Sequence, residues 1–296
     1  MQYISAVIRR TLESWCIAVT ALCLLLASYE VGAQTLKEQV ANEGRITIGI
    51  HNTWPWGVRT SDGGVSGIHP DVLRAVTEQL GVKKIDFVTM DFGALIPSLL
   101  ARRIDAVASG MNITPPRCQQ VAFSDPFMAS GDTVLVKSGN PLKVHSYKDI
   151  AENPKIRVGD MRGASTTPNA LAAGISKDQI QLFPDPPSEV AALLSDRVDA
   201  LLFTKGSALG ILRDPNVKGI ERATPFQGLV VNGKDQLAYA GIAFRKEDAD
   251  FIALFNKVLA QKKADGTIAK ILAGYGFASP TDSVPDGITA KTVCGG

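Results

Sequence analysis

Beyond residue 33 the chain alternates short β-branched runs with stretches of helical period, the mark of an α/β protein. Arg45 to Ile50 reads as a first strand. Pro70 to Leu80 then places Val72, Leu73, Val76 and Leu80 on one helical face. Lys84 to Thr89 follows as a second strand, Phe92 to Arg102 as a helix and Ile104 to Ser109 as a third strand. After Lys137 the series restarts. Ile156 to Gly159, Gln179 to Phe183 and Asp199 to Thr204 read as strands, separated by helices at Thr166 to Ala173 and Ser188 to Ser195. A long helical pattern from Asp248 to about Ala273 carries Phe251, Leu254, Phe255, Val258 and Leu259, and Gly266 divides it.

One stretch occurs twice. Leu99-Leu100-Ala101-Arg102-Arg103-Ile104-Asp105-Ala106-Val107 matches Leu193-Leu194-Ser195-Asp196-Arg197-Val198-Asp199-Ala200-Leu201. In each copy a helix ends in a polar turn and an Asp-Ala pair opens a buried strand. The same order of elements surrounds both, so the pattern predicts two similar α/β lobes and not one large sheet. A crossing strand at Gln236 to Phe244 would return the chain to the first lobe. The expected division is residues 34–137 with 238–296 as one lobe and 138–237 as an inserted second lobe. Two strands, around Thr133–Lys137 and Gln236–Phe244, would link them, and a double connection of this kind makes a hinge over a ligand cleft.

Composition narrows the function. Of 296 residues 45% are hydrophobic and 20% charged, which is globular. Lys and Arg number 31 against 29 acids, with no basic run, so no nucleic-acid partner is expected. His51, His69 and His145 lie far apart without zinc-site spacing, and neither a metal nor another cofactor is expected.

Residues 1–33 read as an export signal. Arg9 and Arg10 precede an apolar run from Ile17 to Ala27, and Val31-Gly32-Ala33 supplies small residues before Gln34. That run is well short of the ~20 residues that span a bilayer. The expectation is therefore a periplasmic mature protein starting near Gln34. It keeps Cys118 and Cys294, which in an oxidising compartment form one bridge or remain two thiols that never meet; pairing is the expectation.

Ligands of open α/β sheets sit beyond the carboxyl ends of the strands. After the first strand comes Asn52-Thr53-Trp54-Pro55-Trp56-Gly57, where each tryptophan is a candidate for ligand contact or for packing. Phe92 carries the same two readings. After the third strand, Ser109-Gly110-Met111-Asn112-Ile113-Thr114-Pro115-Pro116-Arg117 offers a helix start and a guanidinium able to grip a carboxylate bidentately. In the second lobe Gly163-Ala164-Ser165-Thr166-Thr167 is a hydroxyl-rich helix start without the phosphate-loop lysine. No nucleophile, base and orienter come together in the sequence.

Phe92 to Ala106, Asn112-Ile113-Thr114-Pro115-Pro116-Arg117 and Phe123-Ser124-Asp125-Pro126-Phe127 closely resemble the family 3 solute-binding proteins of polar amino-acid ABC importers. The resemblance spans the mature chain. It implies a two-lobed periplasmic-binding-protein fold (type II), a monomer that closes on one small zwitterionic solute and delivers it to a membrane ABC permease. It also implies roles: Phe92 on the ligand, Ser109, Gly110 and Asn112 at its polar edge, Arg117 on its carboxylate and Ser165 on the same group from the second lobe. Amino-acid binders of the family usually hold the ammonium with an acid where this chain has Thr204, and with another in the first loop, where this chain offers Asn52 and Thr53. Arg117-Cys118, Thr204 and the terminal cysteine are similar to the ectoine/hydroxyectoine-binding branch. The alternative on the same scaffold is an enzyme such as a cyclohexadienyl dehydratase, which needs a proton donor facing the cleft.

Overall fold

Ile46, Ile48 and Ile50 share one face of the strand Arg45–Ile50 and are fully buried, and Gly49 on the opposite face is buried as well, so the carboxyl half of this strand runs through the core. Its two neighbours, Lys84–Thr89 and Ala106–Val107, are parallel to it. Parallel pairing demands crossovers, and the helices Ile68–Thr77 and Leu95–Leu100 supply them. Ile68, Val72, Leu73 and Val76 form the buried stripe of the first helix. The sheet reads, edge to edge, Lys84–Thr89, Arg45–Ile50, Ala106–Val107, Ala243–Phe244, Ala122–Phe123, and Ala243–Phe244 is antiparallel to both its neighbours. The structure is a computed structural model that describes residues 34–278 and 282–295. The export signal expected over residues 1–33 lies outside the described residues.

A second sheet repeats this order: Ile180–Phe183, Val158–Met161, Ala200–Thr204, Asp132–Lys137, Ile220–Arg222. Its first three strands are again parallel, and Asp132–Lys137 is the antiparallel member. The sequence repeat is a structural repeat. Asp105 Oδ2 accepts the Thr47 amide at 2.8 Å, and Asp199 Oδ2 accepts the Arg157 amide at 2.8 Å. Each Asp thus ties the third strand to the start of the first. Arg102 and Asp196, at matching places, turn the chain out of their helices at φ 56° and φ 62°.

The inserted lobe begins earlier than the pattern suggests. Strand Asp132–Lys137, counted with the first lobe from the sequence, belongs to the second sheet. The hinge ribbon is Met128–Ser130 paired antiparallel with Ala238–Ala240. The expected single strand from Gln236 to Phe244 is broken into Ala238–Ala240, which pairs in the hinge, and Ala243–Phe244, which pairs in the first sheet. Both runs are short and apolar, and periodicity cannot tell a long strand from two that change partners.

After the hinge, Ala249–Ala264 and Thr267–Gly274 return to the first lobe, divided as expected at Gly266 with φ 81°. Phe251, Phe255, Val258 and Leu259 are buried there, whereas Leu254 is exposed, one position off the buried stripe. The tail ends in a short helix, Ala290–Val293, held by a Cys118–Cys294 disulfide with Cα atoms 5.8 Å apart. Ala290 N–H also donates to Asp125 Oδ1 at 3.0 Å. Among the described residues no helix is long and apolar enough to cross a membrane.

Candidate ligand-binding site

The strand ends of both sheets meet at a cavity between the lobes. Its volume is about 60 Å³, and an outer groove of about 780 Å³ adjoins it. His51, Thr53, Pro186 and Ile211 line both spaces.

Arg117 is the strongest cationic group on the cavity wall. It sits on the one-turn helix Pro115–Cys118, whose prolines fit the first helical positions, where no amide hydrogen is needed. Its guanidinium donates to the Asn112 carbonyl at 2.6 Å and, across the cleft, to the Gly163 carbonyl at 2.7 Å. These bonds use two of the guanidinium's five N–H groups. The Phe92 ring lies beneath it, with 5.5 Å from Arg117 Cζ to the ring centroid. Burial lowers the Arg117 pKa to about 10, so the group is charged at neutral pH. A planar fork fixed against carbonyls and an aromatic face suits a carboxylate.

Two further bonds cross the cleft. Asn112 Nδ2 donates to Ser165 Oγ at 2.7 Å, and Trp56 Nε1 donates to Ser207 Oγ at 2.8 Å. Thr204 caps the helix Lys205–Leu212 through the Ser207 amide at 3.3 Å and donates its hydroxyl to Ser207 Oγ at 3.1 Å. Thr204 therefore holds the serine on which Trp56 rests. Gly110, at φ 66°, and Gly206 both lie against the Trp56 ring; a Cβ on either would meet it at 2.6 Å.

Of the residues expected at the site, Trp56, Phe92, Ser109, Gly110, Asn112, Arg117, Ser165 and Thr204 all line this cavity. Trp54 does not. It lines the outer groove, 5.0 Å from its ring to Arg213 Cζ of the second lobe, with the Tyr275 ring tilted at 56° to it and 6.3 Å away between centroids. It is part of the surface on which the lobes meet. The turn through the Trp54–Pro55 cis peptide separates the two tryptophans.

Among the wall residues that sequence reasoning missed, His51, Asp160 and Ser207 carry polar groups, beside Ser130 and apolar residues such as Met128, Pro186 and Ile211. His51 directly follows the strand Arg45–Ile50, one position before Asn52. Asp160 lies in the matching strand of the second lobe and is buried. Its carboxylate accepts the Met161 amide and the Thr166 hydroxyl, each at 2.8 Å, and the Thr167 hydroxyl at 2.5 Å. Desolvation nevertheless raises its pKa to about 7. Both oxygens are engaged, so Asp160 organises the start of the helix Thr166–Ala172. Behind it, Asp132 accepts from Tyr147 at 3.0 Å and Asn169 at 2.8 Å, and burial raises its pKa as well. The signal for Asp160 was available, since an acid closing a buried strand runs against the apolar pattern of the parallel sheet.

Two α/β lobes on a ribbon hinge, closed over a cavity with one clamped guanidinium, make this a type II periplasmic-binding-protein fold. The chain belongs to the bacterial extracellular solute-binding proteins, family 3, whose signature matches residues 46–278. It is 36% identical over 276 residues, 93% of this chain and 90% of the other, to a probable amino-acid ABC transporter periplasmic-binding protein, y4tE, of Sinorhizobium fredii (strain NBRC 101917 / NGR234). It is 30% identical over 259 residues to the lysine/arginine/ornithine-binding periplasmic protein of Escherichia coli (strain K12), covering 85% of this chain and 95% of that one. Among solved structures, EhuB in complex with hydroxyectoine superposes with a TM-score of 0.77 at 33% identity, over 88% of this chain and 97% of that one. The ancestral amino acid-binding protein AncCDT-1, a precursor of cyclohexadienyl dehydratase, gives 0.70 at 26% identity, over 81% and 99%.

Proposed function

We propose that this chain is the exported, monomeric solute-binding component of an ABC uptake system, with its signal removed near Gln34. It closes on a compact zwitterion derived from an amino acid and presents it to a membrane permease. The observation that carries the reading is the Arg117 guanidinium, fixed by the Asn112 and Gly163 carbonyls in a cavity shared by both lobes. A carboxylate placed there is held from one lobe by Arg117 and faces Ser165 of the other.

Ectoine and hydroxyectoine are the solutes this wall favours over ordinary amino acids. A primary ammonium taken out of water needs an open carboxylate or several good acceptors. Thr204 is neutral, and the Asp160 oxygens already accept from Met161, Thr166 and Thr167. A charge delocalised in a ring tolerates aromatic walls such as Trp56 and Phe92. The likeness to the hydroxyectoine-bound structure supports this choice. Calorimetry with ectoine, hydroxyectoine and the standard amino acids tests it. Tight binding of an ordinary amino acid with no heat from either ectoine refutes the ligand choice, and heat from no solute refutes the transport reading.

A dehydratase activity is the second reading, and Asp160 is what favours it. A carboxyl group on the cavity wall with a pKa near 7 has the proton affinity of a general acid. The hydroxyl donors on both its oxygens speak for a positioning role instead. Release of an aromatic product from a cyclohexadienyl substrate, lost in Asp160→Asn, is the result that would establish the enzyme.

A further inference from the structure

The helix that carries Arg117 buries none of its own side chains. It is a single turn, Pro115–Cys118, and a turn of that length has little stability of its own in water. Its two prolines donate no amide hydrogen, and Thr114 makes no side-chain cap. The backbone ties are local: the Cys118 amide to the Thr114 carbonyl at 2.9 Å and the Val121 amide to the Arg117 carbonyl at 2.9 Å. Neighbouring residues on a helix point about 100° apart, so Arg117 reaches the cleft while Cys118 reaches the C-terminal tail. There Cys118 is bonded to Cys294, which follows the helix Ala290–Val293. The tail is anchored in its turn. Thr289 and Thr292 form a capping box, and the Ala290 amide donates to Asp125 Oδ1 at 3.0 Å. Ala290, Val293 and Cys294 pack against the core cluster that contains Phe92, Ile113 and Val121.

We propose that the Cys118–Cys294 bridge and the tail helix are a positioning device for the Arg117 clamp, holding its guanidinium where the solute carboxylate arrives and so setting the affinity. This rests on the solute-binding reading above and adds the source of its strength. Gly163 belongs to the second lobe, so its carbonyl cannot hold Arg117 before the lobes close. What the first lobe offers alone is the Asn112 carbonyl, the Phe92 face and the covalent tie behind the helix. Ordering a long side chain and its loop at the moment of binding lowers affinity, and a cross-link made during folding removes that cost. The tail thus acts on a group it does not touch, through the residue next to it.

The test uses the mature chain with hydroxyectoine and L-arginine as calorimetric probes, well below every melting transition. The probe that binds wild type should bind the Cys118→Ser/Cys294→Ser double variant at least about fivefold more weakly. Dithiothreitol should do the same to wild type: it passes two electrons and two protons to the bridge, leaving two thiols and its own cyclic disulfide. An Arg117→Ala background separates positioning from a general loss of stability. There, removing the bridge should change affinity by less than about twofold, because the group it positions is gone. An equal loss with and without Arg117, or wild-type affinity without the bridge, overturns the proposal and leaves the transport reading standing. Wild type that binds neither probe overturns both. Nitrogen-15 spectra of arginine-labelled wild type need no variant that folds without the bridge. The Arg117 Nε–H resonance, identified by its loss in Arg117→Lys, should move toward that of solvent-exposed arginines when dithiothreitol opens the bridge, while Arg157 and Arg197 of the second lobe stay in place. An unmoved Arg117 resonance, or all arginines moving alike, overturns the proposal.

Discussion

Gly210→Ala separates closure from folding. Gly210 lies inside the second-lobe helix Lys205–Leu212, and a Cβ there would sit 3.0 Å from Trp54 Cε3 of the first lobe, with the Trp54 carbonyl oxygen closer still. Carbon atoms in comfortable contact stand ~3.5–4.0 Å apart, so the lobes must part by on the order of 1 Å to admit the methyl. Overpacking a fitted contact costs about 1–3 kcal/mol. That cost falls only on the closed form, because Trp54 and Gly210 belong to different lobes. If binding requires closure, affinity drops by the same free energy, roughly 5- to 150-fold. The folded chain itself gains, since Ala replaces Gly in a helix interior at about 1 kcal/mol in its favour. The expected signature is a solute-free melting temperature raised by roughly 2–4 °C together with weaker binding in calorimetry. Gly210→Val should weaken binding further. Wild-type affinity in Gly210→Ala, or a lowered melting temperature without solute, would refute the closed contact as described.

Arg117→Ala should weaken solute binding by at least ~2 kcal/mol in calorimetry, and Arg117→Lys should not restore it, because a point charge cannot bridge the Asn112 and Gly163 carbonyls and a carboxylate together. Reducing the Cys118–Cys294 bridge, or replacing both residues by Ser, should cost about 2–4 kcal/mol in denaturant unfolding; the 176-residue separation puts the chain-entropy ceiling near ~5 kcal/mol. Asp160 predicts a pH effect. Its folded pKa of about 7 stands above the ordinary carboxyl value of 3.8, so its contribution is full below pH 4 and is lost as pH rises through 7. Some three pKa units correspond to about 4 kcal/mol. Asp160→Asn should therefore flatten the stability profile between pH 4 and pH 7 relative to wild type, and an unchanged difference across that range would show the carboxyl to be unperturbed.

Much of the molecule is legible in the chain itself. Strand Arg45–Ile50 and strand Lys84–Thr89 fall where the pattern puts them: the first carries Ile46, Ile48 and Ile50 at period two into the core, and the second pairs with it at the sheet edge. The duplicated Leu-Leu-x-x-Arg-x-Asp-Ala stretch announced two lobes, and its Asp performs the same backbone bond in both. The wall residues from Phe92 to Thr204 were readable because loops at strand ends carry ligands. What only the tertiary structure decided concerns contacts between distant segments. Trp54 and Trp56 are two positions apart in one loop, yet one faces the cavity and the other meets Arg213 and Gly210 in the outer groove. Local sequence gives both the same chemistry, and the turn between them sets the difference. The hinge was placed too late along the chain because Met128–Ser130 and Asp132–Lys137 are both buried runs, and only their pairing partners assign them to different sheets. His51 and Asp160 carry no motif of their own. Each acquires its state from a remote partner: a Met90 carbonyl that fixes one tautomer, and a desolvated cluster that raises one carboxyl. Hydrophobic period is a property of neighbours in sequence, and it determines elements. Which side chains meet at the cavity is a property of neighbours in space.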